Sequence, residues 1–230
     1  MDQKQITDKL QDLKSQSLSK VVEEQLELMI LRGDLQPGDR INESYLSNLL
    51  QISRAPIREA CRNLSQYGVV ETRVGKGTFV RQVNLKEAVE LYDIRGILDA
   101  LAAEQASQLA DPEGFSVLAN LIEQMRDLAD NKASTEYFTT NLAFHLQIVR
   151  LAGNSALIDI YEVIIKKLSL FRQITLSQPD RLQRSLSQHE NILDAIKNRN
   201  ASRAGQLARD HVEEAKEVLV DKTEVKRESA

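Results

Sequence analysis

The stretch ISRAPIREACRNL at residues 52–64, followed by GVV at 68–70 and GKGTFV at 75–80, decides the fold of the N-terminal part of this chain. Ser53 is suited to cap a helix because its hydroxyl can accept a hydrogen bond from a free backbone N–H, and Pro56 falls in the first turn, where no N–H is needed. On a helical wheel one arc is apolar and the next is basic: Ile57, Ala60, Cys61 and Leu64 against Arg54, Arg58 and Arg62. One face of this helix is therefore expected to pack and the other to be basic.

Strands and further helices surround this helix. Residues 69–74 and 78–81 have strand composition, and Gly75-Lys76-Gly77 between them predicts a tight turn with a lysine at its tip. Upstream, residues 18–31 have helical spacing, and a second helix beginning at Asn42 or Glu43 is expected to direct Leu46, Leu49 and Leu50 inward. Three helices followed by a hairpin predict a winged helix-turn-helix.

The rest of the chain is expected to be helical. A length of 230 residues allows two domains, and the absence of Trp, with nine Gly and four Pro, favours helices over a β-rich architecture. We predict a mostly α protein with a flexible tail at 1–15, the winged helix-turn-helix at 16–82, an all-α bundle at 83–222 and a charged tail at 223–230. The bundle helices are expected near 85–110, 113–130, 135–152, 155–176, 181–199 and 201–220.

Charge is distributed unevenly along the chain. Residues 53–81 contain six Lys and Arg against two Asp and Glu, whereas residues from 83 onward contain 18 against 23, within a total of −4. A basic segment in an acidic protein indicates a local polyanion site, although an ordinary solvated surface is an equal alternative on charge alone.

The rest of the sequence excludes several classes of protein. No apolar run reaches the ~20 residues of a membrane span, and the N-terminus lacks an apolar signal segment, so a cytoplasmic protein is expected. The single cysteine, Cys61, excludes an internal disulfide and is interpreted as a core residue rather than a reactive thiol.

The residues at 52–64, 68–70 and 75–80, with GDLQPGDRI at 33–41, closely resemble the GntR family of bacterial regulators. The C-terminal helices, opened by Tyr92-Asp93-Ile94-Arg95, resemble the FadR branch with its FCD-type effector domain. The resemblance implies a homodimeric transcription repressor that binds an inverted repeat in double-stranded operator DNA. One recognition helix reads a half-site, and a two-fold protein matches a palindrome.

The resemblance also places DNA contacts. A helix that enters the major groove needs small residues at its leading end and arginines that can bind a guanine edge or a phosphate. Alternatively, Arg58 pairs with Glu59 or Glu71 on the surface. For Arg62, contact with a phosphate and simple exposure to solvent are equally favoured interpretations. The candidate DNA-binding residues are Ser44, Ser53, Arg54, Ala55, Pro56, Arg58, Arg62, Gly75 and Lys76.

All three histidines lie in the C-terminal half, on predicted helices and among apolar residues, where a single histidine is usually a core residue. In the FCD branch a divalent metal is bound by an Asp or Asn four residues before one histidine and by two histidines from the last two helices. The resemblance places Asn141, His145, His189 and His211 at these positions, where they suit zinc, nickel or manganese. Asn141 stands where many relatives carry Asp, and a neutral amide is the weaker ligand.

Two arginines are candidates for binding a small effector. Arg95 forms an i, i+4 pair with Asp99, which is either a helix salt bridge or, by resemblance to a position facing the effector cavity, a site for an anionic ligand. Arg172 is a second candidate. The effector is expected to be a carboxylate or a phosphonate-related compound.

Two alternatives to a metabolite-responsive repressor stay open. In one the metal ion is itself the signal. In the other, more remote, the three histidines belong to a metalloenzyme, although the sequence offers no general-base motif of a zinc hydrolase and no phosphate-binding glycine loop. We therefore expect no enzyme activity.

Overall fold

The computed structural model describes the backbone of residues 3–82, 84–109, 111–171 and 181–228, and the side chains of these ranges between residues 18 and 221. The chain divides into two compact units, Met1–Val83 and Asn84–Ala230. The boundary that the sequence predicts after residue 82 lies one residue from this division.

The N-terminal unit is a winged helix-turn-helix, as predicted. Its elements are α1 (Gln3–Arg32), β1 (Arg40–Ile41), α2 (Glu43–Leu50), α3 (Arg54–Gln66), β2 (Val70–Arg73) and β3 (Gly77–Val80). Helix α3 packs against α1 and α2, and the small antiparallel sheet has the order β1-β3-β2. The apolar face of α3 is buried, as the helical wheel predicts, because Ile57, Ala60, Cys61 and Leu64 are all less than 4% exposed.

Three details of this unit differ from the sequence predictions. Helix α1 begins at Gln3, so residues 3–15 are helical rather than a flexible tail. Ile6, Leu10 and Leu13 have helical spacing, but they stand among charged and amide residues, so the signal is weak. Strand β1, which pairs Arg40 with Phe79, was not predicted because two residues are too few for a periodic signal. Leu49 and Leu50 were wrongly placed inward, since only Leu46 of α2 is buried.

The C-terminal unit is all-helical among the residues described. Its helices are α4 (Leu85–Leu109), α5 (Pro112–Asp130), α6 (Ser134–Leu151), α7 (Ser155–Leu168), α8 (Arg181–Lys197) and α9 (Ala201–Glu228), with a 3₁₀ turn at Ser169–Phe171. Helix α4 is central: it packs along α9 and also contacts α6, α7 and α8. Helix α5 closes the bundle against α6 and α8.

The helix boundaries agree with the sequence to within a few residues, with two exceptions. Helix α9 continues to Glu228, so the predicted charged tail is helical as far as that residue. Helix α7 ends at Leu168, and the end predicted at residue 176 lies outside the described residues. A side-chain cap accounts for the start of α5, where Asp111 Oδ1 accepts a hydrogen bond from the Gly114 backbone N–H at 2.8 Å. Among the described helices, none contains an apolar stretch of the length that a membrane span requires.

Candidate functional site

The exposed face of α3 carries three arginines in different local settings. Arg54, in the first turn, has no ion-pair partner in the part of the chain that the structure describes. Arg58 Nε lies 3.5 Å from Glu43 Oε2 of α2. Arg62 Nη2 lies 2.5 Å from Glu59 Oε1, one turn away on α3. The basic face that the sequence predicts is therefore present, and of its three arginines only Arg54 lacks an ion-pair partner among the residues described.

The alternative prediction that Arg58 pairs with Glu59 or Glu71 is wrong. Glu59 is paired with Arg62, and Glu71 is paired with Arg73, whose guanidinium also lies 4.4 Å from the centre of the Phe79 ring. Arg58 instead contacts Glu43. Both members of this pair contact solvent, so the pair is worth no more than about 1 kcal/mol and a phosphate can compete for the arginine.

The leading end of α3 presents two small exposed residues and a buried proline. Ser53 and Ala55 are exposed, and Ser53 occupies the N-cap position as predicted. Its hydroxyl makes no capping hydrogen bond in the described part of the chain. Pro56, in the first turn, is buried, so its ring packs inward, and its contact with DNA stays a prediction. Ser44, in the first turn of α2, is half-buried and donates its backbone N–H to Asn42 Oδ1 at 3.1 Å.

The wing ends in an exposed turn with the predicted lysine. Gly75 has a φ of +70°, a conformation that side-chain-bearing residues rarely adopt, and the Lys76 N–H donates to the Arg73 carbonyl at 2.9 Å. Val74 is 98% exposed and Lys76 is exposed beside it. Arginines and a wing lysine thus lie on the surface of one small unit, the composition expected of a nucleic-acid interface.

In the C-terminal unit the three histidines meet inside the bundle. His145 of α6, His189 of α8 and His211 of α9 are all buried, and each offers a ring nitrogen within 4.8 Å of the other two. The Nε2 atoms of His145 and His189 are 3.2 Å apart. We call this group the histidine cluster.

The outer ring nitrogens of the cluster, the Nδ1 atoms, differ in their hydrogen-bond partners. His145 Nδ1 lies 3.3 Å from Asp99 Oδ1, and His211 Nδ1 lies 2.8 Å from Gln188 Oε1. His189 Nδ1 is buried without a hydrogen-bond partner among the described residues. Burial, followed by the nearby histidines, lowers the pKa of His189 and of His211 well below the ordinary value. Both imidazoles are therefore neutral near pH 7, the form that binds metal.

The side-chain oxygen of Asn141 indicates whether the residues of this site could bind a metal ion. Its Oδ1 atom is buried and has no hydrogen-bond partner among the residues described, although a buried amide oxygen ordinarily has one. Asn141 lines one cavity with His211 and an adjoining cavity with His145. Three imidazole nitrogens and an orphaned amide oxygen suit a borderline divalent cation, so the residues present fit the expected group.

The cavity beside the cluster is lined by two guanidinium groups. Arg95 lines it with a side chain 11% exposed, and its Nε donates to Asp99 Oδ2 at 3.0 Å. Arg95 is thus paired with Asp99 and also lines the cavity, and its binding of an anionic ligand stays a prediction. Arg181 lines the same cavity, and its Nη1 lies 2.6 Å from Glu214 Oε1. Arg172, the other predicted effector residue, lies outside the described residues.

Arg181 was missed by sequence reasoning, although a signal was present. Arg181, Ser185 and His189 are spaced four residues apart on α8 and therefore share a face. Ser185 and Tyr137 also line the cavity, and burial raises the pKa of Tyr137 to about 12, so its hydroxyl is protonated and can donate.

Comparison with known proteins identifies both units. Residues 18–80 match the family described as bacterial regulatory proteins, gntR family, and residues 90–214 match the FCD domain. The chain belongs to the GntR family of bacterial regulators and carries an FCD domain. It is a DNA-binding transcriptional regulator, and the metalloenzyme alternative is set aside because both domains are those of regulators.

Individual relatives agree with this assignment. An uncharacterized HTH-type transcriptional regulator, YdhC of Bacillus subtilis, is 31% identical over 79% of this chain and 82% of its own length. A probable D-xylose utilization operon transcriptional repressor of Paenarthrobacter nicotinovorans is 28% identical over 73% of each chain. The solved structure of E. coli McbR/YncC has a TM-score of 0.82 at 20% identity, covers 89% of this chain and 97% of its own, and supports the fold.

Proposed function

We propose that this GntR regulator is a metabolite-responsive repressor, whose FCD domain binds a small anion beside a divalent metal and thereby changes operator binding. The observation that carries this proposal is the cavity in which Arg95 and Arg181 lie beside Asn141 and His211. A guanidinium binds a carboxylate or phosphonate through paired N–H donors, and a metal with an open position accepts an oxygen of the same ligand.

The charges around the cavity favour an anion. The two guanidinium groups are balanced by Asp99 and Glu214, so the protein groups are close to neutral together. A divalent ion bound by neutral histidines and a neutral amide adds positive charge that these ligands leave uncompensated. A carboxylate or phosphonate effector supplies the opposite charge and replaces water on the guanidinium groups.

The cation itself is proposed to be zinc, nickel or manganese, held by Asn141, His145, His189 and His211. Its support is that the three histidines offer ring nitrogens within 4.8 Å of one another, and that Asn141 Oδ1, in the cavities beside them, is buried without a hydrogen-bond partner among the described residues. It would supply a Lewis-acidic position for the effector. If the ion is instead the signal, operator binding should change with metal alone.

The active species is proposed to be a homodimer on an inverted repeat. Helix α4 exposes apolar residues at Ile94, Ile97 and Leu101, which are 48%, 56% and 37% exposed and lie at the spacing of one helix face. Such a stripe is expected to be covered, and a second copy of the same helix supplies a matching apolar face. Two recognition helices would then read half-sites about one DNA turn apart.

The DNA contacts are proposed to come from the leading end of α3 and from the wing. Arg54 is exposed and unpaired within the described part of the chain, so it is the residue expected to read a base edge. Arg58 and Arg62 would exchange Glu43 and Glu59 for phosphates, while Lys76 contacts the backbone or the minor groove.

A footprinting experiment tests the proposal. Full-length protein is bound to the DNA upstream of its own gene, first with chelator, then with each metal, and then with metal plus a panel of dicarboxylates and phosphonates. We expect protection of an inverted repeat that one class of anion weakens only when metal is present. An effect of metal alone would establish the metal-sensing alternative, and anions without effect on a footprint would refute the proposed effector class. Arg95→Gln should bind the same DNA without responding to the anion.

A further inference from the structure

Asp99 lies at the meeting point of the histidine cluster and the effector cavity. Its side chain, on α4, is 3% exposed and has three partners from three parts of the bundle. Oδ2 accepts from Arg95 Nε at 3.0 Å, Oδ1 accepts from the Tyr161 hydroxyl at 2.9 Å, and Oδ1 also lies 3.3 Å from His145 Nδ1. Asp99 is therefore a shared partner of the cavity arginine and of one cluster histidine.

The carboxyl group of Asp99 accepts hydrogen bonds through both oxygens. Oδ2 accepts from the cationic Arg95 guanidinium and Oδ1 accepts from the Tyr161 hydroxyl, which is the arrangement of an ionised carboxylate. Burial raises the pKa of Tyr161 far above its ordinary range, so the tyrosine is the donor in their hydrogen bond. An ionised carboxylate can only accept hydrogen bonds.

We infer that Asp99 is a positioning residue that fixes His145 in the Nδ1–H tautomer, which leaves the Nε2 lone pair directed into the histidine cluster. The reason is the direction of the hydrogen bond. A nitrogen that faces an ionised carboxylate must carry the proton, and in the neutral form of the imidazole, which is the form that binds metal, the free lone pair is then on the other nitrogen. That other nitrogen, Nε2, is the atom 3.2 Å from His189 Nε2.

The three histidines are not equivalent in this respect. His211 has a neutral partner, the Gln188 amide oxygen, and His189 Nδ1 has no hydrogen-bond partner within the described ranges. His145 alone of the three faces a carboxylate through its outer nitrogen in the part of the chain described. A carboxylate on the outer nitrogen raises the basicity of the ligating nitrogen, and losing such a partner typically costs about 10–100-fold in metal affinity. The expected effect on metal affinity rests on the proposed metal site. The expected tautomer of His145 does not depend on a bound metal.

The first experiment reads the tautomer without metal. Full-length protein labelled with ¹⁵N-histidine is examined by NMR in chelator, and the His145 resonances are assigned with His145→Gln. We expect the Nδ1–H form in the wild type. Asp99→Asn should change the tautomer mixture, because the amide of asparagine can donate to Nδ1 and leave the proton on Nε2. Tyr161→Phe is the matched control, since it removes the other hydrogen bond to Oδ1 but keeps the carboxylate.

The second experiment measures affinity for zinc, nickel and manganese in competition with a chromophoric chelator. Asp99→Asn should weaken binding by about 10–100-fold, while Tyr161→Phe should stay within a few-fold of the wild type. Because Asp99→Asn leaves Arg95 without its counter-charge and can unfold the unit, Arg95→Gln/Asp99→Asn is measured beside it with Arg95→Gln alone as its reference.

The outcomes separate this inference from the proposed function. An unchanged His145 tautomer in the Asp99 variants would overturn the inference, whatever the metal result. If the wild type binds metal, equal metal affinity in Arg95→Gln and in the double variant would also overturn it. If the wild type binds none of the three metals, the proposed metal site is refuted, while the NMR result still decides the role of Asp99.

Discussion

Removing metal from the FCD unit is expected to lower its melting temperature, and His189→Ala is expected to abolish that dependence. His189 is fully buried, and its Nε2 faces the cluster 3.2 Å from His145 Nε2. Without metal, His189 Nδ1 and Asn141 Oδ1 lack partners among the described residues, and each such buried group costs about 1–3 kcal/mol. A metal on Asn141 removes one of these costs.

The size of the change follows from linkage. A ligand that binds only the folded state at 100 times its Kd stabilises it by about 2.7 kcal/mol. For a unit of this size, Asn84–Ala230, each kcal/mol shifts the melting temperature by about 2–4 °C, so saturation should raise it by about 5–11 °C.

Differential scanning calorimetry at pH 7.5, in chelator and then in excess zinc, nickel or manganese, measures this difference. His189→Ala also removes packing against Phe144, so its absolute stability falls, and the informative quantity is the metal-dependent shift within each protein. Tyr137→Phe, which alters a cavity hydroxyl outside the expected ligand set, should keep the full shift. Equal melting temperatures with and without metal in the wild type, or a shift that survives in His189→Ala, would refute the reasoning.

Three further predictions concern DNA binding, acid and assembly. Arg54→Ala should weaken operator binding by about 1–3 kcal/mol and reduce the base preference, whereas Lys76→Ala should mainly reduce the slope of log affinity against log salt concentration by about one. Titrations at several salt concentrations on matched and scrambled DNA distinguish the two effects. In chelator, the pKa values of His189 and His211 are low in the folded state, so the unfolded chain binds more protons than the folded chain below about pH 6.5. The free energy of unfolding should therefore fall as pH decreases, by up to about 1.4 kcal/mol per pH unit for each histidine. Urea unfolding from pH 7.5 to 5 checks this sign, and a flat profile would contradict it. Leu101→Glu should shift light scattering from dimer to monomer mass, while a mass unaffected by this charge would remove α4 from the interface.

Much of the N-terminal unit could be predicted from sequence because its signals are local. The faces of α3 follow from a period of 3.6 residues, and the wing turn follows from Gly75 and Gly77, both of which have positive φ. The errors lie where local signals are weak or ambiguous. The eight-residue helix α2 has three leucines, but the packing leaves room to bury only Leu46.

In the C-terminal unit, the sequence by itself determined the helices and, through family resemblance, the four expected ligands. Spacing fixes which residues share a helix face, so the proximity of Asn141 to His145 could be stated in advance. The partners that only the tertiary structure decided lie far apart along the chain: Asp99 meets Tyr161 across 62 residues, and His145 meets His189 across 44. Such meetings depend on how the helices cross and which ridges interlock, and these are set by packing of the whole core rather than by any local pattern.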